Sequence, residues 1–203
     1  MSNKLKPLTA RQHQAIKAAQ PTEQGRVLET ILPDSPQNNG GQVLYLDYDG
    51  VLHHENVYWS PKKGIYIAAA QEFTLFQHTG LLVELLRPYP AVRIVLSTSW
   101  VRVMGMTRAA SYLPEELRSR AIGSTFHSQM SRTEFDMKSR GQQVYEDYLR
   151  RAPEQVLVID DCEEGWPLFL RERLVLTDKI HGISEPKILE SLAHILAQTF
   201  GPQ

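Results

Sequence analysis

Apolar positions cluster in four short runs along the chain, and each run is followed by polar residues. The runs cover residues 43–46, 94–96, 156–159 and 174–176. Their length and their content of Val, Ile and Leu predict buried strands. Apolar residues at helical spacing predict helices between and after these runs, within 73–86, 139–151 and 184–196, and Ser184 is the predicted cap of the last one. The alternation predicts an α/β protein, a three-layer α/β/α sandwich with a mostly parallel, Rossmann-like sheet.

A small insertion is predicted between the first two strands. Segments 56–59 and 64–67 are rich in β-forming residues and flank a turn, which predicts a β-hairpin flap. The connection from 53 to 92 is too short for a large additional domain, so we expect an open site that admits macromolecular substrates. The region 101–137 predicts short helices, which can form a partial lid.

The first 42 residues differ from the rest of the chain. We expect 1–42 to form an N-terminal helical arm and linker, and 43–203 to form the main domain. Thr9 is a good cap for a helix that Pro21 ends, and the linker is rich in Pro, Asn and Gly. The arm is locally basic, which both a solvated helix face and a contact with a phosphate backbone explain.

Carboxylates follow two of the predicted strands. Asp47 and Asp49 end the first strand, and Asp160 and Asp161 end the third. Because the carboxyl ends of parallel strands meet at one edge of a sheet, the four side chains are predicted to share a pocket. Carboxylates held this close need a neutralising cation, and an oxygen-rich site suits Mg²⁺. The pattern therefore predicts a magnesium site.

The same acids predict phosphoryl transfer. Asp47 is the candidate nucleophile, forming an aspartyl phosphate, and Asp49 is the candidate general acid and base. Gly50 permits the tight backbone path that follows. All four carboxylates are candidate metal ligands, and the sequence does not decide whether Asp160 or Asp161 binds the ion directly.

Hydroxyl and cationic side chains are predicted to bind the phosphate. Ser97 and Thr98 follow the second strand and can donate hydrogen bonds to phosphoryl oxygens. A cation at the start of the helix before the Asp160 strand completes the site, and both Arg140 and Lys138 are candidates.

These motifs, in this order, resemble the haloacid dehalogenase (HAD) superfamily of Mg²⁺-dependent phosphohydrolases. The resemblance covers about residues 43–200 and rests on Asp47-Tyr48-Asp49-Gly50-Val51, Leu96-Ser97-Thr98 and Ile159-Asp160-Asp161. The family usually has lysine at its third motif, where this chain offers Arg140 or Lys138. Further blocks, including Ser99-Trp100 and Thr177-Asp178, resemble a small bacterial and phage group whose relatives occur as domains of RNA-repair proteins. The resemblance implies a phosphatase that acts on nucleic-acid or nucleotide phosphates.

Other features narrow the function. The net charge of −1 gives no global attraction to nucleic acid, and the chain has one cysteine, Cys162, and no apolar run long enough for a membrane span or signal peptide. We expect a cytoplasmic protein without membrane contact, and the sequence does not indicate its oligomeric state. His53 and His54 are assigned to the flap, and Trp100 and Trp166 to packing.

Other functions share part of this pattern. A signalling receiver domain is disfavoured because its acidic pair precedes its phosphorylated aspartate along the chain, the reverse of the order here. The alternative that stays open is a catalytically silent HAD-like module that binds metal and acts through protein or nucleic-acid partners.

Overall fold

A five-stranded parallel sheet forms the centre of the computed structural model, which describes residues 39–201. The predicted N-terminal helices therefore lie outside the described residues. The sheet has the order β5-β4-β1-β6-β7, and every neighbouring pair is parallel. Its strands are β1 (Gln42–Leu46), β4 (Arg93–Leu96), β5 (Ala121–Ser124), β6 (Gln155–Asp160) and β7 (Leu174–Leu176). The predicted flap is an antiparallel hairpin of β2 (Val57–Ser60) and β3 (Gly64–Ile67).

Helices cover both faces of the sheet, which confirms the predicted three-layer α/β/α sandwich. They are α1 (Thr79–Leu86), α2 (Ser99–Met104), α3 (Met106–Ala110), α4 (Glu115–Arg118), α5 (Arg132–Asp136), α6 (Arg140–Arg151), α7 (Leu168–Arg171) and α8 (Pro186–Phe200). Alternate residues of β1 join separate apolar clusters. Leu44 and Leu46 belong to the cluster that includes α1 and α8, whereas Val43 and Tyr45 belong to the cluster that includes α6 and α7.

Two local details differ from the sequence prediction. The region 101–137 contains the predicted short helices, α2 to α5, but Ala121–Ser124 also forms the edge strand β5, which was not predicted. Its Ala and Gly have little intrinsic strand preference, so pairing with β4 decides its conformation. Ser184 does not cap the last helix: the capping position is Glu185, and the Ser184 hydroxyl donates to the His181 carbonyl oxygen at 2.7 Å.

A buried charged network fastens α6 to β1. The Asp147 carboxylate accepts hydrogen bonds from Tyr45 Oη at 2.8 Å, Arg150 Nη2 at 2.9 Å and Arg151 Nε at 2.8 Å. Arg140 precedes Asp147 by about two helical turns, so the two side chains leave the same side of α6. The network thereby fixes the helix whose first residue reaches the end of β1.

Between Asn39 and Gly201, no helix is both long enough and apolar enough to cross a bilayer.

Candidate active site

Asp47 lies directly after β1, in the middle of the sheet. Its backbone N–H donates to the Ile159 carbonyl oxygen at 3.1 Å, which joins it to β6. Its carboxylate is only 2% exposed, accepting from Tyr48 N at 2.7 Å and from Arg140 Nη2 at 2.9 Å. Burial raises the pKa of Asp47 to about 7, against the opposing effect of Arg140 and with a smaller contribution from the charge of Asp49. A cation or a proton therefore stabilises this group.

Asp160 ends β6 beside Asp47 and is fully buried. Its Oδ1 accepts a hydrogen bond from Cys162 N at 3.0 Å. Its Oδ2 lies 3.5 Å from Arg140 Nε but accepts no hydrogen bond from any residue within 39–201. Burial, with the nearby charge of Asp47, raises the pKa of Asp160 well above its ordinary value. A buried carboxylate oxygen with no donor is the kind of atom that a metal ion satisfies.

Three carboxylates form one cluster at this edge of the sheet. Asp47, Asp160 and Asp161 each offer an oxygen, and these oxygens all lie within 4.8 Å of one another. Asp161 is partly exposed, and burial raises its pKa while Lys179 and Arg140 oppose the rise. Three carboxylate oxygens, one of them on a buried group without a donor, fit a hard divalent cation such as Mg²⁺. Asp49, predicted as a fourth ligand, lies outside this cluster.

Gly50 makes the close packing of the cluster possible. Its φ of +67° lies in the left-handed region that glycine adopts readily. A Cβ at this position would also overlap the side chain of Asp161. Gly50 thus gives the backbone path predicted for it, and it leaves the space that Asp161 fills.

Asp49 occupies a separate environment. Its Oδ1 accepts from Trp100 Nε1 at 2.9 Å and lies 3.0 Å from His53 Nε2. The Phe76 backbone N–H donates to His53 Nδ1 at 3.2 Å, which places the ring proton of a neutral His53 on Nε2 and makes this nitrogen the donor to Asp49. Ser99 Oγ donates to the other carboxylate oxygen at 3.4 Å. Three side chains therefore orient Asp49, which stays about a quarter exposed.

The contacts of His53 and Trp100 with Asp49 were missed by the sequence reasoning. His53 stands four residues after Asp49, and this spacing was an available signal for the contact. Trp100 is buried as predicted, but it also donates to Asp49 from the first turn of α2, which only the juxtaposition of β1 and β4 brings about. His54 lies apart from the acids, its Nδ1 accepting from Asn56 N at 3.0 Å.

The two predicted hydroxyls lie at the end of β4. The Ser97 backbone N–H donates to Leu46 O at 2.9 Å, beside the start of the Asp47 motif. Its buried Oγ has no hydrogen-bond partner in the part of the chain that the structure describes. Thr98 caps α2 by accepting from Trp100 N at 3.4 Å, which leaves its own hydroxyl hydrogen to be donated.

The structure brings one of the two candidate cations into the site. Ser139 caps α6, so that Arg140 begins the helix and contacts both Asp47 and Asp160. Burial disfavours the charged guanidinium, but the two carboxylates outweigh it and raise the pKa of Arg140. Lys138 instead donates to Glu146 Oε2 at 2.6 Å.

A cavity of about 480 Å³ opens beside Asp49. The hairpin forms one wall with Tyr58 and Trp59, and α2 and α3 form another with Trp100 and Arg108. This cavity, which we call the aromatic cavity, contains Asp49 in its lining but none of the three clustered carboxylates.

The parallel sheet, the hairpin after its first strand and the acids at the ends of β1 and β6 define an HAD domain. The chain belongs to the family described as "HAD domain in Swiss Army Knife RNA repair proteins", which matches residues 43–188, more than half of the chain. Comparison with curated proteins and with solved structures gives no significant match.

Proposed function

We propose that this protein is a Mg²⁺-dependent phosphohydrolase that acts through an aspartyl phosphate on Asp47. The observation that carries the proposal is the different environment of two acids on one short segment. Asp47 is buried against Arg140 in the carboxylate cluster, whereas Asp49 is partly exposed at a cavity and held by neutral donors. Phosphoryl transfer through a carboxylate needs this division between a nucleophile and a proton-transferring group.

Asp47, Asp160 and Asp161 are the residues that would hold Mg²⁺, because their oxygens converge and one buried oxygen of Asp160 has no donor within residues 39–201. When bound, the ion supplies the positive charge that lets an anionic carboxylate approach an anionic phosphate.

The protein's own groups perform the remaining steps. An Asp47 oxygen forms a bond to phosphorus while the bond to the leaving oxygen breaks, and Asp49 gives its proton to that oxygen. Asp49 then takes a proton from a water molecule that attacks the phosphorus, which releases phosphate and restores Asp47. Arg140, Thr98 and Ser97 donate hydrogen bonds to the phosphoryl oxygens.

Nucleic-acid ends and nucleotides are the proposed substrates. The family description refers to RNA repair, and the insertion after β1 is a small hairpin that leaves the approach to the acids open to a large substrate.

The test is hydrolysis of an aryl phosphate and of phosphate-ended RNA and DNA, with Mg²⁺ and with a chelator. Asp47→Asn should abolish turnover, as should metal removal, while Glu190→Gln, at an exposed acid on α8, should retain it. Equal turnover by wild type and Asp47→Asn would refute the covalent mechanism. Tight Mg²⁺ binding without turnover of any substrate would favour the catalytically silent module instead.

A further inference from the structure

A large aromatic side chain of the hairpin remains exposed where it lines the aromatic cavity. Trp59 is 68% exposed and lies on the same face of the hairpin as Val57 and Ile65, which line the cavity as well. Trp100 and Tyr112 line the same cavity. An exposed ring of this size costs free energy in water, so its position at a cavity indicates a surface that a ligand covers.

The position of Asp49 indicates which part of the substrate would extend towards this cavity. If Asp49 protonates the leaving oxygen, the group attached to that oxygen must extend away from Asp47 on the Asp49 side. Asp49 lines the aromatic cavity, and the indole of Trp100 both donates to Asp49 and forms part of the cavity wall. The aromatic cavity is thus the space next to Asp49 into which the leaving group can extend.

The charged residues at the cavity indicate which kind of leaving group it can bind. Arg108 lines the cavity, and Asp49 is the single acid among its lining residues in the described part of the chain. Lys62 and Lys63 are exposed at the hairpin turn, next to Gly64 of the cavity lining. Exposed aromatic rings combined with basic side chains are the features by which proteins bind single-stranded nucleic acid.

We propose that the aromatic cavity binds the terminal nucleoside of the phosphorylated substrate, with its base against Trp59 and the adjoining backbone phosphates near Arg108 and the hairpin lysines. This inference rests on the proposed function and specifies its substrate class: a nucleic-acid end whose last base is bound without regard to its identity. Stacking on an aromatic ring is tolerant of sequence because every base has a π-face.

The test compares DNA oligonucleotides that carry a terminal phosphate on a normal or a stable abasic last nucleotide, at either the 3′ or the 5′ end. Wild type should turn over the oligonucleotide with a normal last base about 5- to 150-fold faster in kcat/KM. Trp59→Ala should remove most of this preference, because it should lower turnover of the substrate with a normal last base far more than turnover of the abasic one. Leu168→Ala, at an exposed apolar residue on α7, is the matched control and should preserve the preference.

Binding to Asp47→Asn separates this inference from the proposed mechanism. In the presence of Mg²⁺, the oligonucleotide with a normal base should quench tryptophan fluorescence and bind more tightly than the abasic one, and Trp59→Ala should remove the difference. Equal binding and equal turnover of the two oligonucleotides would overturn the inference even if both are hydrolysed. A stronger preference for a phosphotyrosine peptide, also dependent on Trp59, would overturn it as well. Absent turnover with base-dependent binding would refute the proposed function and support the cavity's assignment.

Discussion

Replacing Asp147 by Asn tests the buried network that fastens α6 to β1. Asp147 is fully buried, and its negative charge lies against two buried guanidinium groups. Arg150 is 6% exposed and Arg151 is 2% exposed. Asn preserves the size of the side chain but removes its charge. Breaking a buried ion pair by removing one partner costs about 3–5 kcal/mol, because the remaining charge is left buried. We expect a loss of this size in the free energy of unfolding.

Tyr45→Phe provides the internal comparison. It removes one hydrogen bond to a charged acceptor, worth about 1.5–3 kcal/mol, and leaves the contacts of Asp147 with both arginines in place. Tyr45→Phe should therefore destabilise the protein less than Asp147→Asn. Because a typical domain is stable by about 5–15 kcal/mol, both variants are expected to fold at room temperature.

Urea unfolding followed by tryptophan fluorescence measures both changes, with the free energies obtained by linear extrapolation. Glu116→Gln, at an exposed residue of α4, is the matched control and should change stability by less than about 0.5 kcal/mol. A loss below about 1 kcal/mol for Asp147→Asn would show that the buried charges are not held by this carboxylate, and would refute the reasoning.

Three further predictions concern the acids and the cation. The pKa of Asp47 is raised to about 7, so protonation of Asp47 stabilises the metal-free fold fully below about pH 4, and this stabilisation is lost as the pH rises through 7. The increase in Tm on adding Mg²⁺ should therefore be larger at pH 8, where the proton no longer competes with the ion, than at pH 6. An equal increase at both pH values would contradict this. Gly50→Ala should weaken Mg²⁺ binding in calorimetric titration, because its Cβ displaces Asp161; unchanged affinity would exclude that displacement. Arg140→Gln should lower kcat by about 10²–10³, whereas Lys138→Gln should retain most of it; equal losses would argue against Arg140 as the phosphate-binding cation.

Local sequence patterns predicted the central strands of the sheet because these strands are buried on both faces. Strands β1, β4 and β6 are continuous apolar runs, and parallel pairing places their carboxyl ends at one edge. The meeting of Asp47 with Asp160 and Asp161 followed from this geometry. β5 was not predicted because its residues have little strand preference of their own and adopt this conformation through pairing with β4.

The amino-acid sequence by itself determined the α/β alternation, the hairpin and the acids at the strand ends, since each depends on residues close together in the chain. The tertiary structure decided which long side chains reach those acids. Arg140 and Lys138 are two residues apart, and only the packing of α6 on the sheet directs the first to Asp47 and leaves the second with Glu146. Trp100 reaches Asp49 in the same way, across neighbouring strands. Contacts of this kind depend on distances between elements that are remote in sequence, which no local pattern encodes.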